Sequence, residues 1–247
     1  VIFKGNSSEK FNFDITEIEI SENGNRIKGL KRGTITSNDN LIINANEFDY
    51  EKISNILILK GNVIIKDLEK NYTIFAEKVN YNKDKEIIKT KNNSKLVLGD
   101  YGNISANTFE YQRINDVIIA QDKVKITNKL KDYEILAEEI NYFRGIDKII
   151  SQRKTKVIFQ SKFIFNSEDI NFSIKDNLLS SNKKTRIQDS NSQDYFVDKF
   201  KYNINDKILK GENILLVSNY NLPKSDKLFF ADAIIDIENR NFNAKDI

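Results

Sequence analysis

Ile74-Phe75-Ala76-Glu77-Lys78-Val79-Asn80-Tyr81 decides the fold, because its pattern recurs along the chain. Each close copy has an isoleucine, an alanine two residues later, an apolar residue three after that and a final tyrosine. The close copies are Ile43–Tyr50, Ile104–Tyr111 and Ile135–Tyr142, and looser ones are Phe165–Phe172 and Tyr195–Tyr202. The final aromatic residues, at positions 50, 81, 111, 142, 172 and 202, follow one another at intervals of 30 or 31 residues. So steady a period indicates a repeated supersecondary unit.

The spacing inside the pattern predicts a bent β-strand. Ile74 and Ala76 are two residues apart, as are Val79 and Tyr81, and side chains two apart on a strand share one face. Ala76 and Val79 are three apart, so all four share a face only if one extra residue is absorbed between them. We therefore expect a β-bulge at Glu77-Lys78 and at the same level of every unit.

A second strand follows the first in each unit, after a polar turn of four or five residues. Its apolar positions alternate, as in Leu57, Leu59, Val63 and Ile65, with a glycine at position 61. The same spacing returns 61 residues later, with Asp122 in place of the glycine. Short polar turns between paired apolar strands favour hairpins, so the strands are expected to be antiparallel. The segment from Asn219 to Lys227, which holds the single proline, is expected to be an exposed loop.

The composition excludes several classes of function. The 247 residues include no Cys, His or Met, which removes thiolate and imidazole catalysis and the usual zinc sites. A formal charge of +3 is too balanced for a protein that neutralises nucleic-acid phosphates. No glycine-rich phosphate loop is present. We therefore expect no enzymatic activity, no metal or cofactor and no nucleic-acid partner.

The repeats resemble a known family. The run Ile-x-Ala-x-x-apolar-x-Tyr, followed after a turn by Lys60-Gly61-Asn62-Val63, is similar to the OstA-type repeat of lipopolysaccharide transport proteins, the β-jellyroll of LptA, LptC and the periplasmic part of LptD. The resemblance covers residues 40 to 160 well and the rest more loosely. Two positions depart from it, since Asp122 replaces a glycine and Glu212 separates Gly211 from Asn213.

The resemblance implies an all-β fold, a twisted, V-shaped, open β-jellyroll of antiparallel strands built from tandem two-strand units, with residues 1–247 as a single domain. It implies non-enzymatic lipopolysaccharide transport in the periplasm, with acyl chains inside a hydrophobic groove. The number of units and the segment Asn241–Asp246 favour the N-terminal domain of an LptD-like chain, attached to the outer membrane, over an LptA-like bridge protein. The chain is then expected to continue beyond Ile247 into an outer-membrane barrel.

The implied partners are lipopolysaccharide, a head-to-tail LptA-like jellyroll joined by edge-strand addition, and an LptE-like lipoprotein plug if a barrel follows. The lipid-binding groove is expected to be lined by the inward apolar column. Alanine at one level of this column is expected to leave room between two walls, and the tyrosine hydroxyls could lie at the groove mouth. The predicted groove residues are Ile43, Ala45, Phe48, Tyr50, Leu57, Leu59, Ile74, Ala76, Val79, Tyr81, Ile104, Ala106, Phe109, Tyr111, Ile118, Ala120, Ile135, Ala137, Ile140 and Tyr142.

Other interpretations stay open at this level. The column could be an ordinary packed core, and the chain a parallel β-helix that binds polysaccharide or a structural, adhesin-like repeat. Basic clusters such as Lys28, Lys31 and Arg32, or Lys183, Lys184 and Arg186, could meet lipid phosphates or simply keep the protein soluble. Paired acids such as Glu138-Glu139 and Glu168-Asp169 are neighbours on a strand, which places them on opposite faces and argues against a glycosidase pair. This rule loosens at the predicted bulge, but another copy has Glu77-Lys78 there, and a composition that varies between copies is typical of a surface.

Overall fold

A computed structural model describes residues 2–3, 11–99, 102–190, 193–220 and 222–245. These residues form β-strands joined by short turns, and two of the turns, Glu22–Gly24 and Arg144–Ile146, are 3-10 helical. The strand pairings described are antiparallel. The predicted all-β, antiparallel, jellyroll-like fold is therefore confirmed, and the alternative of a parallel β-helix is wrong.

The chain divides into two compact units, Val1–Asp122 and Lys123–Ile247, and the division falls inside one long strand. The strands of the first unit, with the strand that crosses the division, are β1 Ile2–Phe3, β2 Phe11–Asp14, β3 Ile18–Ser21, β4 Arg26–Gly29, β5 Gly33–Ser37, β6 Leu41–Ala45, β7 Glu47–Glu51, β8 Ile56–Asp67, β9 Tyr72–Asn82, β10 Ile87–Lys91, β11 Ser94–Val97, β12 Asn103–Ala106, β13 Thr108–Gln112 and β14 Val117–Asn128.

The second unit continues in the same manner. Its strands are β15 Tyr133–Phe143, β16 Lys148–Phe159, β17 Phe163–Ser173, β18 Leu178–Ser181, β19 Thr185–Gln188, β20 Gln193–Val197, β21 Lys199–Asn203, β22 Ile208–Ser218, β23 Lys227–Asp236 and β24 Asn241–Lys245. The predicted loop before β23 is confirmed, and Pro223 in it is exposed. The strand predicted at the end of the chain is β24, while Asp246 and Ile247 lie outside the described residues.

Each long strand belongs to two half-sheets, because its two halves pair with different neighbours. In β8, residues 56–60 pair with β7, whereas residues 64–67 pair with β6. We call half-sheet A the set that contains β4, β7, β10 and β13, and half-sheet B the set that contains β2, β5, β6, β11 and β12. The second unit has its own half-sheet A, with β18 and β21, and half-sheet B, with β19 and β20.

The bend between the two half-sheets lies at the level where the sequence predicts a bulge. Glu77 and Lys78 are both exposed between buried Ala76 and Val79. The extra residue, however, lies on the partner strand, since the register passes from Lys60↔Lys78 to Val63↔Ala76. The prediction is thus correct in level and wrong in strand. The reason is backbone conformation, because Gly61 and Asn62 both adopt positive φ, of 71° and 47°, which glycine and asparagine tolerate best.

Candidate functional site

All twenty residues predicted to line a groove point into the interior of their unit. Their exposed fractions run from 0% for Ile43 to 9% for Ala137. The prediction that these side chains face inward is therefore confirmed, on both sides of each bend.

In both units the two half-sheets are in contact across this interior. In the first unit, the rings of Phe11 and Tyr50 lie 5.1 Å apart between centroids, and those of Tyr72 and Tyr111 lie 4.8 Å apart. In the second, Phe165 and Phe200 are stacked at 5.5 Å. At these levels the expectation of an open trough is wrong, because the aromatic rings span the space between the walls.

The alanine level has a different cause from the one expected. Ala45, Ala76, Ala106 and Ala137 are buried and each comes immediately before a bend, where the two half-sheets diverge. A small side chain suits the inner side of such a corner. In the second unit the same corner holds buried hydroxyls, which the sequence analysis missed, and Thr155 donates a hydrogen bond to Ser151 at 2.8 Å.

The tyrosines that close the repeat anchor the turn that follows. The Tyr142 hydroxyl donates a hydrogen bond to Asp147 Oδ1 at 3.0 Å. The pKa of Tyr142 is raised, chiefly because its side chain is buried. The acceptor, Asp147, follows the tyrosine by five residues, and its backbone has a positive φ of 49°. The same contact occurs in Tyr50–Asn55, Tyr81–Glu86 and Tyr111–Asp116, at 2.6 to 2.8 Å. These hydroxyls are therefore engaged in turn structure instead of facing an open mouth.

A buried ionic cluster joins the ends of the two half-sheets in the first unit. Its centre is Arg113, whose side chain is 6% exposed and which follows β13 of half-sheet A. Arg113 Nη2 donates to Asp67 Oδ2 at 2.8 Å, and Asp67 ends the part of β8 that belongs to half-sheet B. Arg113 also pairs with Asp39, in the turn between β5 and β6, and with Glu86, before β10.

Two lysines complete this cluster, which we call the Arg113 cluster and define as Asp39, Asp67, Lys70, Lys83, Glu86 and Arg113. Lys83 Nζ lies 2.8 Å from Asp39 Oδ1 and 2.6 Å from Glu86 Oε1. Lys70 Nζ donates to the backbone carbonyl of Arg113 at 2.5 Å. Burial would raise the pKa of Asp39, but hydrogen bonds from Lys83, Ser37 and Arg113 outweigh it and hold that pKa well below its usual range.

The equivalent place in the second unit, 61 residues later, lacks the charged centre, although Lys131, Arg144 and Asp147 stand where Lys70, Lys83 and Glu86 stand. Ile174 stands where Arg113 stands, and Asn128 where Asp67 stands. Lys131 Nζ still donates to the carbonyl of Ile174, at 3.1 Å. The rings of Tyr133 and Phe172 are in contact at 5.2 Å, and they correspond to the pair Tyr72 and Tyr111 in the first unit. The two units therefore close in the same manner but with different chemistry.

The remaining candidates from the sequence lie on outer surfaces. Lys31 pairs with Glu17 at 2.7 Å, and Arg186 pairs with Asp194 at 2.5 Å. Glu138 and Glu168 are exposed beside the bends. A cleft of about 550 Å³ on the second unit is lined by Lys199, Lys201 and Lys210 together with Phe200, Ile234 and Ala244. Surface side chains of mixed charge are typical of solvated faces.

In the part of the chain that the structure describes, no group of three or more acidic side chains is arranged to hold a metal ion. Nor do these residues include a helix with the length and apolar character needed to cross a membrane. Neither a protein-family model nor a curated protein matches this chain in sequence.

Proposed function

We propose that this protein is a non-enzymatic carrier of lipopolysaccharide, and that acyl chains occupy the interior between half-sheets A and B. The observation that carries the proposal is the recurrence of one interior pattern. In successive repeats the same apolar positions, such as Ile74, Ala76, Val79 and Tyr81, are buried at the same levels. This repetition supports the proposal, because a lipid that moves from repeat to repeat meets a similar apolar surface at each one.

The energetics favour an apolar interior as the grip on a lipid. Burying an acyl chain yields about 0.8 kcal/mol per methylene, so roughly ten methylenes outweigh several hydrogen bonds of about 1 kcal/mol each. The attraction is also non-directional, which lets a chain slide without losing a specific contact. Because the half-sheets are in contact through rings such as Phe11 and Tyr50, the lipid has to part them and replace these contacts with its own.

The partners and location follow from the OstA-type resemblance. We propose a periplasmic site of action, attached to the outer membrane if the chain is part of an LptD-like protein, with an LptE-like plug in that case. Among the described strands, β24 pairs with β23 alone. Phe242 on β24 and Leu228 on β23 are 46% and 41% exposed. An unpaired edge with apolar side chains supports addition of a strand from an LptA-like jellyroll.

A structural, adhesin-like repeat is the second candidate, and the ring contacts between the half-sheets favour it. Purification of the protein from a lipopolysaccharide-producing host, followed by mass spectrometry of the native protein, separates the two. The carrier proposal predicts a co-purified acylated glycolipid, which detergent washing removes and purified lipopolysaccharide restores. A protein that stays free of lipid after incubation with lipopolysaccharide contradicts it and leaves the structural repeat.

A further inference from the structure

We propose that acyl chains enter the first unit between the turns joined by the Arg113 cluster, and that this cluster is the latch of that entrance. The inference rests on the proposed carrier function. Two turns of half-sheet B, at 38–40 and 68–71, are linked there to two turns of half-sheet A, at 83–86 and 113–116. The opposite side of the interior is closed covalently, because long strands such as β8 and β9 run through the bend.

The links across the entrance are side-chain contacts instead of strand pairing. The links described include the ion pairs of Asp39 with Lys83 and Arg113, of Asp67 with Arg113 and of Lys70 with Asp116, together with the hydrogen bond from Lys70. The aromatic pair Tyr72 and Tyr111 lies alongside, also contributed by the two half-sheets. Among the described residues no backbone–backbone hydrogen bond joins these turns of the two half-sheets, so this side opens at lower cost than the bend.

The chemistry of the latch suits reversible opening. Replacing a buried ion pair with apolar groups is often neutral or stabilising, so stability alone is a weak reason for such a cluster. Charged groups regain hydration when they separate into water, whereas an apolar seam exposes apolar surface, which is unfavourable. An ionic seam therefore opens more readily than an apolar one that is equally stable when closed.

The second unit provides the contrast. Ile174 and Asn128 stand in place of Arg113 and Asp67, so the charged centre is missing there. Asn128 retains the local role of Asp67, since its Oδ1 accepts the N–H of Lys131 at 2.9 Å, as Asp67 Oδ1 accepts that of Lys70 at 2.7 Å. The ionic latch is thus separable from the turn structure around it, and the entrance is assigned to the first unit.

The first test locks the entrance. The chain has no cysteine, so Asp39→Cys with Glu86→Cys can be bridged by a short bis-maleimide with a reducible linker. The matched control bridges Lys89→Cys and Glu110→Cys, which are neighbours within half-sheet A. Uptake of 11-(dansylamino)undecanoic acid is followed by fluorescence. We expect the bridge at 39 and 86 to abolish uptake until the linker is reduced, and the control bridge to leave uptake unchanged.

The second test copies the uncharged centre of the second unit into the first unit. Asp67→Asn combined with Arg113→Ile reproduces the second unit at these positions and keeps the turn acceptor. We expect this variant to fold and the probe to enter it about tenfold more slowly, because the activation barrier for entry is higher. Asp39→Asn, which removes the ion pairs of Asp39 with Lys83 and Arg113, is expected to speed entry.

The outcomes separate this inference from the function on which it rests. Wild-type protein that takes up neither probe nor lipopolysaccharide contradicts the carrier function and the entrance together. Wild-type uptake that the bridge at 39 and 86 leaves unchanged overturns the entrance alone, and the carrier function then stands with another point of entry. Entry into Asp67→Asn/Arg113→Ile at the wild-type rate overturns the latch.

Discussion

The hydroxyl of Tyr81 donates a hydrogen bond to Glu86 Oε2 at 2.8 Å, five residues further along the chain. This contact ties the last residue of the repeated pattern to the turn that follows it. Glu86 also accepts from Lys83 and Arg113, so the same turn is connected to the Arg113 cluster. A residue expected to serve a groove mouth thus holds the backbone that frames the entrance.

The tyrosine contact predicts different costs for two similar substitutions in the second unit. Tyr142 donates to Asp147, whereas the buried hydroxyl of Tyr202 has no hydrogen-bond partner among the described residues. We expect Tyr142→Phe to lower the free energy of unfolding by about 1 kcal/mol and Tyr202→Phe to leave it nearly unchanged or raise it. Urea denaturation of both variants measures the difference, and equal losses would contradict the role of the hydroxyl in the turn.

The backbone conformation at the bend predicts that adding a methyl group at Gly61 lowers the stability of the protein. This residue has φ of +71°, and a Cβ there would lie 2.8 Å from Asn46 Nδ2. We expect Gly61→Ala to destabilise the protein by about 1 to 2 kcal/mol, from backbone strain and crowding. Gly145→Ala is the control, since it meets no atom within 4 Å. Thermal unfolding compares them, and a Gly61→Ala variant as stable as the control would mean that the bend does not depend on this glycine.

The Arg113 cluster predicts sensitivity to acid. The lowered pKa of Asp39 lies below the unfolded value of about 3.9. Its carboxylate therefore contributes stability above the unfolded pKa, and this contribution is lost as pH falls through the folded pKa. We expect the free energy of unfolding to fall between about pH 5 and pH 2, and to fall less steeply in Asp39→Asn.

Chemical denaturation at a series of pH values measures this slope. Asp122→Asn, at an exposed position beside a bend, is the control and is expected to keep the wild-type slope. An Asp39→Asn variant whose stability declines with pH as steeply as that of the wild type would show that the ion pairs of Asp39 contribute no stability.

Much of the fold could be predicted because its information is local and repeated. Alternation at period two gives the facing of Ile74 and Ala76, and the interval of three before Val79 gives the bend. The strand that carries the extra residue could not be assigned in this way, since it depends on which backbone adopts positive φ at Gly61 and Asn62. That choice lies in turn chemistry and not in apolar spacing.

Of the structural features that were not predicted, some leave a pattern in the sequence and others do not. The tyrosine contact has one, because Asn55, Glu86, Asp116 and Asp147 each stand five residues after a tyrosine of the pattern. The Arg113 cluster has none, since its members come from separate turns between positions 39 and 113 and meet only after the half-sheets face each other. The choice between a packed core and an open groove, both of which the sequence allows, depends on ring contacts across the unit, such as that of Phe11 with Tyr81.

The central claim is that acyl chains occupy the interior between the half-sheets. Photo-crosslinking from two adjacent positions on β13 tests it most directly, because Phe109 is 4% exposed and faces inward, whereas Glu110 faces outward and pairs with Lys89 at 2.8 Å. With a photo-reactive phenylalanine analogue at each position in turn, and purified lipopolysaccharide added, the account predicts labelling from position 109 and none from position 110. Labelling from position 110 alone, or from neither in a folded protein that is saturated with lipopolysaccharide, would contradict it.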